Sequence, residues 1–107
     1  MNEFKKGEKF KFDAEVEYAS GSIVSKNVLK NSVGNVSLFA FDKNEGLSEH
    51  TAPFDAMVQI IDGQAEIIID GKSHYLKSGE TIIMPADIPH ALKAMEPFKM
   101  ILTMIRG

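Results

Sequence analysis

Three histidines, His50, His74 and His90, and no cysteine bound the chemistry open to this 107-residue chain. An imidazole can ligate a metal, move a proton near neutral pH or hold a ligand by a hydrogen bond. Thiolate metal sites, disulfides and cysteine nucleophiles are excluded. No Ser–His–Asp arrangement, Walker loop or dinucleotide fingerprint is present. His74 stands beside a turn on a strand expected to be exposed, so no special role is assigned to it. His50 follows the polar, glycine-bearing stretch Lys43–Glu49, read as a loop that delivers it, and His90 closes the run Pro85-Ala86-Asp87-Ile88-Pro89.

The elements that must position these side chains are strands. Val58–Ile61 leads into Asp62-Gly63, and Ala65–Ile69 leads into Asp70-Gly71. Asp-Gly between β-branched runs signals a two-residue hairpin, because type I′ turns need positive φ at both central residues. Two hairpins are therefore expected here, followed by strands at His74–Leu76 and Thr81–Met84. Further strands are read at Ser22–Leu29, Val36–Asp42, His90–Ala94 and Phe98–Ile105. About eight short strands with almost no helical periodicity predict an antiparallel sandwich or barrel. Residues 22–107 form that barrel domain. Residues 1–21 read as an extended arm docking through Phe4, Phe10 and Phe12, with a neighbouring subunit as one surface open to it. Within the arm, Asp13–Tyr18 reads either as one helical turn with Asp13 as N-cap or as plain loop.

Two segments resemble the motifs of the cupin superfamily. Gly79, Pro85 and His90 match the second cupin motif, Gly-x5-Pro-x-Gly-x2-His-x3-Asn, in register. Asp87 replaces its second glycine, a swap a turn tolerates, and Ala94 replaces its asparagine. Counting back from Gly63 through the first motif places Ala56 at its glutamate, Ala52 at its second histidine and His50 at its first. Its leading glycine matches only loosely, at Gly46. The resemblance spans roughly residues 36–105 and implies an all-β, antiparallel jelly-roll β-barrel. In cupins that bind metal, the histidine pair, the acidic residue and the second-motif histidine surround a divalent ion. Here only His50 and His90 remain, which implies an incomplete site and at most a weakly bound divalent transition metal. Glu49 and Asp55 are candidate replacements, but strand alternation points both away.

Alternation around an inward position 56 places Phe54, Val58 and Ile60 inside, and His90, Leu92 and Ala94 share an inward face. The expected pocket is therefore His50, Ala52, Ala56 and His90, walled by Phe39, Phe41, Met84 and Leu92. Met57, Met84, Met100 and Met104 read as flexible filling rather than as ligands. For His50 and His90 three roles stay open: core-edge histidines held by hydrogen bonds, polar contacts to a small ligand, or a degenerate metal site completed by water or ligand. The first function expected is binding of a small molecule in the barrel. The alternative is a metal-assisted lyase, isomerase or oxygenase acting on a small sugar- or keto-acid-like compound.

A net charge of −3 gives no reason to expect nucleic acid or an anionic membrane as partner. No stretch approaches the roughly 18 apolar residues that span a bilayer. No secretory signal is read at the N-terminus, and a cytoplasmic address is expected. A homodimer is expected as well, because Met57, Ile61, Ile68, Ile101, Ile105 and the arm's phenylalanines remain after one barrel interior is filled.

Overall fold

The computed structural model describes residues 4–106. Eight strands run β1 Ile23–Asn31, β2 Gly34–Phe41, β3 Gly46–His50, β4 Ala56–Ile69, β5 Lys72–Lys77, β6 Thr81–Met84, β7 His90–Lys93 and β8 Phe98–Ile105. Every pairing is antiparallel. One sheet runs β1-β2-β8-β4-β6, the other β3-β7-β4-β5, and β4 belongs to both. The two sheets face each other as the expected jelly-roll barrel.

The corner lies in the middle of β4. Its first half buries Ala56, Val58 and Ile60, and its second half buries Ala65 and Ile67. That change from even to odd positions needs one extra residue, because strand side chains alternate with a period of two. The extra residue enters at Ile61-Asp62, where the pairing with β8 steps from Ile60↔Met100 to Asp62↔Lys99. The hairpin expected at Asp62-Gly63 is therefore a β-bulge inside one 14-residue strand. Both halves have strand partners waiting on each edge, and that pairing overrides the local turn preference. Asp70-Gly71 does turn the chain, with φ of 52° and 76° as the two-residue hairpin requires. Of the stretch Lys43–Glu49, expected as loop, the part from Gly46 onward belongs to strand β3, Gly46–His50, because it pairs with β7. Phe54 does not face inward: the chain bends at Pro53-Phe54 before β4 begins, so alternation does not extend back to it.

The interior is filled from both sheets, with Val58, Ile60, Ile67, Leu92, Met100 and the stacked rings of Phe41 and Phe98, 4.6 Å apart, all fully buried. A second apolar layer covers the outside of the β1-β2-β8 sheet. There Val28, Leu38, Ala40 and Ile101 are buried beneath Val16, Phe4, Phe12 and Tyr18 of the arm. This explains why β2 is apolar on both faces.

The arm thus docks on its own barrel. It contains a single 3-10 turn, Phe12–Ala14, preceded by Lys11, so Asp13 lies inside the turn and does not cap it. Polar bonds fix its path. The Tyr18 hydroxyl donates to Asp62 at the bulge, Lys99 Nζ donates to the Asp13 carbonyl at 2.7 Å, and the Gly21 amide donates to Asp42 at 2.7 Å. Burial, then the bond to the Asp62 carboxylate, holds the Tyr18 hydroxyl well above the usual tyrosine range, so it remains a donor into alkaline pH. Backbone amides of Gly21 and Lys43 hold the Asp42 carboxyl below its usual range. Among the described residues no helix is long and apolar enough to cross a membrane.

Candidate functional site

His50 and His90 are cross-strand neighbours, paired where β3 lies against β7. Their rings are 4.3 Å apart, centroid to centroid, in an edge-on arrangement. His90 is buried, with 5% of its surface exposed, and Ile69 of β4 flanks it on the other edge. His50 is exposed and forms the rim. The Nδ1 atom of His50 lies 2.8 Å from the Ser48 carbonyl, and that of His90 lies 3.2 Å from the Ile88 carbonyl. A carbonyl only accepts, so each Nδ1 carries the hydrogen, and in the neutral ring Nε2 keeps the lone pair. Both rings are thus held through Nδ1, on the carbonyls of Ser48 and Ile88.

The loop before His90 is clamped to the loop after His50. Asp87 adopts the positive φ, 65°, that a glycine would take at this place. Its amide donates to the Ala52 carbonyl at 2.7 Å, and the Ala86 amide donates to Asp55 Oδ1 at 2.8 Å. These bonds bring Ala52 up to the histidine pair.

The cavity below the pair measures about 60 Å³, room for about two water molecules at liquid density. Six of the expected residues, His50, Ala52, Ala56, Met84, His90 and Leu92, line it together. Phe39 and Phe41 do not. Phe41 is spent on the stack with Phe98, and Phe39 packs on Phe41 at 5.8 Å, so both fill the barrel elsewhere. Leu47, Met100, Leu102 and Met104 complete the wall and were not foreseen. The signal was there: Met100, Leu102 and Met104 alternate along β8, and Met104 pairs with Ala56.

A divalent ion of the kind cupins hold does not fit this donor set. Ala52 and Ala56 contribute only methyl groups. Asp55 is engaged by Ala86 and Glu49 lines a separate outer groove. Among the described residues no three histidine, aspartate or glutamate side chains converge, and three protein ligands are the usual minimum for such a centre.

Comparison with known proteins agrees with the fold. The family profile described as a cupin domain matches residues 37–105. A conserved protein of unknown function from Streptococcus pyogenes superposes with a TM-score of 0.93 at 34% identity, over 99% of this chain and 93% of that one. A cupin 2 conserved barrel domain protein from Leptotrichia buccalis gives a TM-score of 0.87 at 41% identity, over 90% of this chain. The match spans 47% of the Leptotrichia chain, about half its length. A cupin superfamily protein from Desulfitobacterium hafniense shares the fold, with a TM-score of 0.91 at 22% identity over 97% of this chain and 95% of that one. No curated protein matches. The chain belongs to the cupin domain family.

Proposed function

We propose that the chain is a binding module that takes a compact ligand in the barrel cavity, with the Nε2 atoms of His50 and His90 as its polar contacts. The observation that supports this best is the pair itself: two rings anchored through Nδ1 and set edge-on, both lining a cavity otherwise walled by apolar side chains. The enclosed part admits only a few heavy atoms, so a larger ligand would reach in with one end past His50. Metal-assisted catalysis on a small sugar- or keto-acid-like compound is the second reading, favoured only by the two histidines at positions where the family keeps ligands. Elemental analysis of the purified protein separates the two. The expected result is no stoichiometric Fe, Mn, Ni or Zn, and one equivalent of any of them would overturn the binding reading.

The proposal includes a homodimer, through only part of the surface the sequence suggested. Ile61 and Ile101 lie under the chain's own arm and are no longer available. What remains is a groove of about 590 Å³ on the outer face, where Met57, Ile83, Ile105 and Phe54 meet. Ile83 is 59% and Ile105 69% exposed, an apolar exposure that pairing of two barrels would cover. Light scattering at micromolar concentration should give twice the 11.8 kDa of one chain. A mass equal to one chain would end the dimer proposal.

A further inference from the structure

Three thioethers share the cavity with the two imidazoles. Met84 closes β6, and Met100 and Met104 stand on one face of β8, all on the wall that His50 and His90 complete. The remaining members of that wall are leucines and alanines, so every donor atom a side chain offers there is an imidazole nitrogen or a thioether sulfur. We infer that the cavity is a site for a soft monovalent metal ion, Cu(I) in its chemistry, held by His50, His90 and methionine sulfur.

Two physical arguments lead there. The first is ligand softness: thioether sulfur and imidazole nitrogen suit Cu(I) and the borderline ions such as Zn(II), whereas carboxylate, carbonyl and water oxygen suit hard ions such as Mg(II), Ca(II) and Mn(II). The second is charge. The cost of taking an ion out of water grows with the square of its charge, so a divalent ion costs about four times as much as a monovalent one of equal size. No carboxylate faces this cavity to offset a double charge. A single charge among polarisable sulfurs and two lone pairs is far less costly. A volume of about 60 Å³ accommodates one ion with little space left over.

This inference rests on the binding reading only in that His50 and His90 open on one cavity. It adds the ion class and a role for sulfur, and it can fail alone. The test is an anaerobic titration of the whole chain with Cu(I) against a chromophoric Cu(I) chelator, repeated with Ag(I) as a redox-inert stand-in and with Zn(II) as the divalent control. One equivalent of Cu(I) and Ag(I) should bind, with Zn(II) weaker by at least about 100-fold because no carboxylate offsets its second charge. The ε-methyl resonances of Met84, Met100 and Met104 should shift on adding Ag(I). Those of Met57 on the outer groove and the exposed Met95 should not.

Replacing the three cavity methionines together by leucine keeps volume, a swap cores tolerate well, and should weaken Ag(I) by at least about tenfold. His50→Ala, at an exposed position that leaves the core intact, should do likewise. Equal Ag(I) affinity in parent and triple-leucine protein, or shifts confined to Met57 and Met95, would overturn the inference while leaving the histidine pocket standing. Zn(II) binding as tight as Ag(I) would overturn both.

Discussion

Ala52→His combined with Ala56→Glu should raise affinity for Zn²⁺, Ni²⁺ or Mn²⁺ by on the order of 10³-fold or more over the parent. Both alanines line the same cavity as His50 and His90. The pairing of Ala56 with Met84 on one side and Met104 on the other keeps its side chain inward. The Asp87 amide holds the Ala52 carbonyl at 2.7 Å, so the loop carrying the new histidine is already fixed. Two added donors bring the set to four, including one carboxylate to offset the charge of the ion. Isothermal calorimetry on protein with a native melting transition is the measurement. A folded double variant that binds these ions no better than the parent would show that positions 52 and 56 do not face the histidine pair.

Gly63→Ala should prevent folding or cost at least about 4 kcal/mol, among the largest effects a single residue can have. A Cβ there would lie 2.0 Å from the Pro97 carbonyl oxygen and 2.9 Å from Phe98 Cα, on a backbone with φ of +74°. Neither neighbour can yield, because both are main chain at the start of β8. Gly71→Ala makes the contrast. Its φ is +76°, yet nothing lies within 4 Å of the added carbon, so only the left-handed strain of about 1–2 kcal/mol applies. Urea unfolding of the two variants measures the difference. Similar losses would mean that the bulge does not press on β8.

These two glycines also show where the sequence was legible and where it was not. Both follow aspartate between β-branched runs, and by local criteria both read as hairpin turns. The distinction between them is tertiary: Gly63 at the bulge pairs with Phe98 of β8, and the last residue of β5, Lys77, pairs with the adjacent Gln64, whereas Asp70-Gly71 has no strand alongside it among the described residues. Strand content, antiparallel architecture and the juxtaposition of His50 with His90 were readable because they depend on residue spacing. The placement of Phe39 and Phe41 away from the cavity was not, because ring stacking with Phe98 is decided across strands. The covering of Ile101 by the arm escaped for the same reason. An apolar outer face looks alike whether a partner or the chain's own arm lies on it. Met100 and Met104 fill the core as their alternation along β8 implies, and they line the cavity as well.

The strand order carries a consequence for time as well as for shape. β8 lies between β2 and β4, pairing Gly34 with Ile105 and Ala56 with Met104. Until β8 has been synthesised, both of those strands present an unpaired edge, and the nascent chain exposes Leu38, Ala40, Val58 and Ile60 beside it. Pairings this distant in sequence close slowly, typically in milliseconds to seconds. The β4-β5 hairpin, joined by a two-residue turn, forms within about 1–10 μs. Synthesis therefore leaves an interval in which one hairpin stands ready and the barrel is still open, and that interval is when the chain is most exposed to edge-to-edge association with its own kind.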